Sequence, residues 1–374
     1  MPSGPRAAEA AEKVSRLRTL LHAHQADAIV LTRIANFAWL SCGGRSFINV
    51  AAEGGAAGIV VTPRRVAVIT SNIEAARLRE EELGGLDWEV LAYDWWDGAA
   101  MGRRLRDLVG ADARLLCDGG LPGATEVGRD ITALRTRLTV AEQARATGLG
   151  RDTALALEAC CRAVRPGETE FAIAGRLAAE SYARGIEPVV HLVAADERVY
   201  TRRHPLPTAA AVEKYVMVVA CGLRDGLVVS CTRLVHFGPV GGDLDRRWRA
   251  AAQVDAEMIA ATRPGATAGQ VFAAARAAYA ATQFDEEWRN HHQGGLAGYA
   301  SREWRAVPDG AEVIHAGQIF AWNPSVAGAK SEDTVLCAAE GPARVLTETG
   351  GWPLADLETS GGVVVRRPGI LPAR

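Results

Sequence analysis

The chain carries 8 histidines, and three of them sit in settings that suit chemistry. His204 lies in Arg202-Arg203-His204-Pro205-Leu206-Pro207-Thr208, a loop stiffened by two prolines. Imidazole changes charge near neutral pH, so a histidine held in such a loop suits general acid–base catalysis. The plain alternative is a solvated loop residue. His291 and His292 precede Gly294-Gly295, where a backbone is able to approach a ligand closely; the alternative is a glycine turn with incidental histidines. Glu332 opens the apolar run Thr334-Val335-Leu336-Cys337 and is either a site carboxylate or a backbone acceptor at a strand start. Lys330 is one of three lysines, with Lys13 and Lys214, in a chain that otherwise uses arginine. It either pairs with Glu332 or holds a substrate carboxylate. Arg233 alternates with apolar residues and needs a partner, Glu332 or substrate. Cys221, Cys231 and Cys337 fall on core strands, where packing is the expected role. Trp288, Trp304 and Trp322 flank these segments and either fill the core or wall a small-ligand pocket.

Composition narrows the setting. With 42 basic and 44 acidic residues the formal charge is −2, which excludes a broad cationic footprint for nucleic acid. No stretch reaches about 18 apolar residues, so no membrane span is expected. The first 18 residues lack an apolar signal core. Seven scattered cysteines do not form a disulfide framework, and reduced thiols in a cytoplasmic protein are expected.

The elements that must position these groups fall into two regions. Helical spacing marks 9–25, 72–83 and 98–109; apolar runs mark strands at Ala28–Leu31, Asn36–Ser41, Gly58–Thr62, Val66–Ile69 and Trp88–Tyr93. This is an α/β region, given the bounds 1–137. A long helical pattern, 141–164, opens the second region, 138–374. There Arg165-Pro166-Gly167-Glu168-Thr169 recurs as Arg263-Pro264-Gly265-Ala266-Thr267, each copy between two helices and with a threonine N-cap. Each second helix leads through a histidine segment to two strands: Tyr215–Cys221 and Leu227–Phe237, turned at Asp225-Gly226, then Gln318–Asn323 and Glu332–Cys337. The reading is a duplicated αα-ββ half-domain with a cleft between its halves. The fold class is α+β with two domains.

That architecture and these motifs resemble the pita-bread family of methionine aminopeptidases, prolidases, aminopeptidase P and creatinase. The resemblance implies an N-terminal creatinase/prolidase-like domain and a C-terminal pita-bread domain. It also implies metal-ligand positions occupied in relatives by Asp, Asp, His, Glu and Glu. Here those positions read Ala220, Ser230 (in Ser230-Cys231-Thr232-Arg233), His292, Asn323 (in Asn323-Pro324) and Glu332 (in Ser331-Glu332-Asp333-Thr334). A dinuclear centre needs anionic oxygens to offset about four positive charges and to bridge the ions, so no metal and no other cofactor is expected. Creatinase is the relative that works without a metal, and its catalytic histidine corresponds to His204. The resemblance therefore points to a metal-independent hydrolase acting at a C–N bond of a small carboxylate-bearing molecule. His204, His292 and Glu332 are its expected catalytic residues. Lys330, Arg233, Asn323, Ser230, Thr232 and Tyr299 are expected to bind substrate. Arg45, in Gly43-Gly44-Arg45-Ser46-Phe47, would reach a partner's site in a homodimer. The alternative is an inactive pseudo-peptidase that binds a ligand or partner.

Overall fold

The computed structural model describes residues 4–373, which divide into two compact units, one up to Thr136 and one from Arg137. The first unit contains α1 (Pro5–Ala23), β1 (Ala28–Arg33), α2 (Ile34–Leu40), β2 (Gly54–Val61) and β3 (Val66–Ser71). There follow α3 (Ala75–Arg77), prolonged by a π turn at Leu78–Glu82, then β4 (Glu89–Tyr93), α4 (Ala100–Val109), β5 (Leu115–Cys117), β6 (Thr125–Glu126) and α5 (Gly128–Arg135). Its mixed sheet runs β4-β3-β2-β1-β5-β6. One expectation fails here: 36–41 is not a strand but most of α2. Asn36 to Leu40 are all buried, and a run buried on every side carries no period to separate helix from strand. The turn into this helix is fixed by Asp118, whose carboxylate accepts the N–H groups of Thr32 and Arg33 and the Asn36 amide.

The second unit shows the duplication. Its first half is α6 (Val140–Ala163), α7 (Glu170–Tyr182), β7 (Glu187–Ala195), a short α8 (Glu197–Thr201), β8 (Tyr215–Arg224) and β9 (Leu227–Phe237). The second is α9 (Gly242–Ala261), α10 (Ala268–Ala280), β10 (Gly294–Ala297), β11 (Trp304–Arg305), β12 (Ile319–Trp322), β13 (Ser325–Val326), β14 (Ala329–Lys330) and β15 (Asp333–Leu336). The chain closes with β16 (Arg344–Val345), β17 (Leu354–Glu358), β18 (Val364–Pro368) and β19 (Ile370–Ala373). The sheets run β19-β9-β8-β7 and β11-β10-β12-β15-β16, so each half adds a strand, β7 or β10, that the αα-ββ reading omits.

The repeated Arg-Pro-Gly-x-Thr turns are built alike. Gly167 and Gly265 take φ of 88° and 86°, and their N–H groups bond to Val212 and Ile314 carbonyls. Thr169 and Thr267 cap α7 and α10, and each forms an isolated bridge, to Ala211 and Val313. Asp225 and Gly226 both have positive φ, as the tight hairpin between β8 and β9 requires. The halves meet where β9 runs beside the start of β15: Thr232 N–H bonds to the Glu332 carbonyl, and Ser230 N–H to Thr334 Oγ1. Strand alternation sends Val216, Val218 and Ala220 of β8 into the core under α6 and α7, and Met217 and Val219 into the other core with α9 and α10.

Candidate active site

Glu332 sits at this junction and is 2% exposed. Its Oε2 accepts from Thr232 Oγ1 at 2.7 Å and from Lys330 Nζ at 2.9 Å, and its Oε1 lies 3.3 Å from Arg302 Nη2. Burial alone would raise its pKa, but the Lys330 and Arg302 cations outweigh it and hold the carboxylate below its ordinary range. Lys330 thus forms the salt bridge, and two of its three N–H donors remain for another acceptor.

Three imidazoles form the second part of the site. His204 Nε2 lies 3.1 Å from His291 Nε2, and the His291 and His292 rings stack with centroids 4.5 Å apart. One ring nitrogen from each of the three lies within 4.8 Å of the others. His204 is exposed, whereas His291 is buried and its Nδ1 lies 3.3 Å from Ser325 Oγ. Arg203 also reaches Ser325 Oγ, at 3.2 Å, and pairs with Glu287. Burial, then the nearby Lys330 charge, pushes the His204 and His291 pKa values down. Burial, then Arg302 and Arg305, pushes His292 down to about 4. All three rings are thereby biased toward the neutral form.

Several expected site residues take other roles. The Arg233 side chain lies on the face opposite that of Thr232, as strand neighbours must, and donates to Asp333 at 3.0 Å and to the Thr347 and Thr232 carbonyls at 2.8 and 2.9 Å. Tyr299 is buried, with its hydroxyl 2.6 Å from Glu142 Oε1, which commits it to the start of α6. Ala220 pairs with Cys231 and faces the α6/α7 core; the β8 residue beside Ser230 is Cys221, with Sγ 3.1 Å from Ser230 Oγ. Gly294 and Gly295 do not free space for a ligand. A Cβ on either would collide with the neighbouring strands, at the Ala321 and Trp304 carbonyl oxygens. Trp322 donates to Thr262 and stacks on Phe320, Trp304 packs on Phe320, and Trp288 packs on Phe272, so the tryptophans fill core. Arg45, in the first unit, pairs with Glu82 at 3.0 Å. Asn323 is buried, and among the described residues its Oδ1 and the buried His292 Nδ1 have no hydrogen-bond partner.

Two contributors stand out that residue type alone does not reveal. His291, not only His292, faces His204, and Arg302 supplies the second cation on Glu332. The adjacency of two histidines in an extended segment was the available signal for the first. For Arg302 the signal was its place shortly after the Gly/His-rich stretch, but its pairing with Glu332, 30 residues away, was not legible.

The chain's relationships follow from a match to the family model of metallopeptidase family M24 over residues 149–339. The chain belongs to metallopeptidase family M24. Among solved structures, prolidase from Pyrococcus horikoshii shares the fold at 18% identity, over 90% of this chain and 98% of that one, with a TM-score of 0.78. Dipeptidase PepE from Mycobacterium ulcerans does so at 20% identity, over 91% and 96%, with a TM-score of 0.73. The N-terminal domain of FACT complex subunit SPT16 from Cicer arietinum also aligns, at 12% identity over 92% and 96%, with a TM-score of 0.69. Comparison with curated protein sequences gives no match. These likenesses establish a pita-bread fold, and the family whose model matches is one of metallopeptidases. Among the described residues no helix is long and apolar enough to cross a membrane.

The M24 metal pair does not fit the donors present. Cys221, Ser230 and Asn323 are neutral oxygen, sulfur or amide groups, and the burial of Cys221 raises its thiol pKa further from the thiolate a metal would need. The remaining carboxylate, Glu332, already has its charge matched by Lys330 and Arg302.

Proposed function

We propose that this M24 protein hydrolyses a C–N bond in a small carboxylate-bearing molecule, in the manner of creatinase, without the family's dinuclear centre. The observation that carries the reading is His204 Nε2 held 3.1 Å from His291 Nε2, beside a glutamate whose charge is matched by lysine and arginine rather than by metal. If His291 Nδ1–H donates to Ser325 and His204 Nε2–H donates to His291, His204 Nδ1 keeps an open lone pair. That atom removes a proton from water as the water oxygen bonds to carbon. The C–N bond then breaks with its electron pair going to nitrogen, and the imidazolium returns the proton to that nitrogen. Lys330, with unused N–H donors, and Arg302, whose Nε has no partner among the described residues, hold the substrate carboxylate. Asn323 and His292 orient it. The reading takes the protein as a cytoplasmic homodimer; the exposed pair Trp95 and Trp96 supports a covered face in the first unit.

The test is hydrolysis of a panel of small amidino, ureido and N-acyl amino acids by chelator-treated protein. Turnover that persists with chelator and falls about 10²–10⁴-fold in His204→Ala, with binding changed only several-fold, supports the reading. In Glu332→Gln, binding and turnover should weaken together. The second reading, a pseudo-peptidase that binds without turnover, is favoured by the full pairing of Glu332 inside the protein. It gains if the panel gives ligands but no products and His204→Ala binds them normally.

A further inference from the structure

We propose that His204, His291 and His292 form a binding site for a single zinc-class divalent ion, one that shares only His292 with the ligand positions of the M24 metal pair and uses none of its carboxylate positions. Three features of the geometry point there. One nitrogen from each ring lies within 4.8 Å of the other two, and the His204 and His291 Nε2 atoms are 3.1 Å apart. An ion about 2.0–2.1 Å from each nitrogen, the usual zinc–imidazole distance, spans such a pair at a near-tetrahedral angle. His291 already has the outer partner of a ligating imidazole: its far nitrogen, Nδ1, meets Ser325 Oγ at 3.3 Å, and Arg203 reaches that hydroxyl in turn. His292 adds a buried Nδ1 with no hydrogen-bond partner among the described residues.

The donor set favours borderline ions such as Zn²⁺, Co²⁺ or Ni²⁺ over Mg²⁺ or Ca²⁺, which want oxygen. Three neutral ligands leave the ion its full charge and an open fourth position. Lys330, Arg302 and Arg305 lie near, with Lys330 and Arg302 both on Glu332, so an anion such as hydroxide, chloride or a carboxylate suits that position. An ion bound here replaces the proton shared by His204 and His291. It therefore takes His204 out of proton transfer, and it acts as an inhibitor of the reaction proposed above. The inhibition rests on that reading; the binding does not.

Binding is tested without substrate, by titrating the metal-stripped full-length protein with Zn²⁺ in a calorimeter and with Co²⁺ by visible absorption. The expected result is one ion per chain, with the intense cobalt bands of tetrahedral coordination. His204→Ala and His291→Ala should each weaken binding by about 100-fold or more, a larger loss than removal of an outer partner typically causes. His204 is exposed, so its variant retains the fold even if the buried His291 variant does not. Glu332→Gln should leave affinity within several-fold. Absence of binding by the wild-type chain overturns the proposal, as does binding that survives His204→Ala. Loss in Glu332→Gln with retention in His204→Ala would assign the ion to the M24 ligand positions instead. If zinc binds as expected but does not inhibit an identified reaction, the acid–base role of His204 fails and the ion site stands.

Discussion

Glu332 and Asp333 are consecutive, both about 2% exposed, and both bound to two cations, yet they face opposite sides of the sheet. Asp333 faces inward. It accepts from Arg233 at 3.0 Å, Arg367 at 2.7 Å and Thr347 Oγ1 at 2.6 Å; Arg367 continues to Asp255, and Arg233 lies 3.6 Å from Glu158. Glu332 lies on the side of His204, near enough for their charges to interact, and the Nε of its partner Arg302 has no hydrogen-bond partner among the described residues. The difference is in what each acid joins. Asp333 ties two arginines to further buried acids, and only Arg233 Nε, Glu158 Oε1 and Asp255 Oδ1 of that network lack a hydrogen-bond partner among the described residues. Glu332 is paired to two cations on the side of the imidazoles, where a ligand has donors to meet.

Mutation of the inward side should give the largest effect. Asp333→Ala leaves Arg233 and Arg367 buried with less compensation, and the cost of breaking such a network is about 3–5 kcal/mol. Denaturant unfolding should show it, and a loss under 1 kcal/mol would erase the contrast between the two acids. On the other side, His204→Ala should lower turnover of an identified substrate by about 10²–10⁴ while unfolding stability changes by no more than about 0.5 kcal/mol. A large stability loss would place His204 with the structural group.

Two smaller effects sharpen the comparison. Thr232→Val removes the hydroxyl that Glu332 accepts at 2.7 Å, and should cost about 1.5–3 kcal/mol, measured by the same unfolding curves. The other concerns pH. His292 has a folded-state pKa of about 4 against an ordinary 6.5, so between those values the unfolded chain binds more protons. The stability from its neutral form is present above pH 6.5 and is lost as pH falls toward 4. Thermal melts from pH 7 to 4 should therefore fall more steeply for wild type than for His292→Asn. Activity that needs neutral His204 should likewise persist below the range of an ordinary histidine, since its pKa is lowered.

What the sequence determined by itself is the scaffold's local grammar. The two Arg-Pro-Gly-x-Thr segments needed a left-handed glycine and a threonine cap, and they fold alike because those requirements are local. The Asp225-Gly226 hairpin is local in the same way. Alternation was legible too, but the expectation that Thr232 and Arg233 both serve one site ran against it: adjacent strand residues point to opposite faces, and Thr232 meets Glu332 while Arg233 meets Asp333. The tertiary structure decided the rest. It made 36–41 a helix, because complete burial leaves no period to read and the Asp118 carboxylate that fixes the turn lies more than 80 residues away. It paired Glu332 with Arg302, turned Tyr299 to Glu142, and brought His291 rather than His292 within hydrogen-bond distance of His204. Each of those contacts joins groups whose separation along the chain carries no pattern; packing alone fixes them, between the halves for Tyr299–Glu142 and His291–His204 and within the second half for Glu332–Arg302.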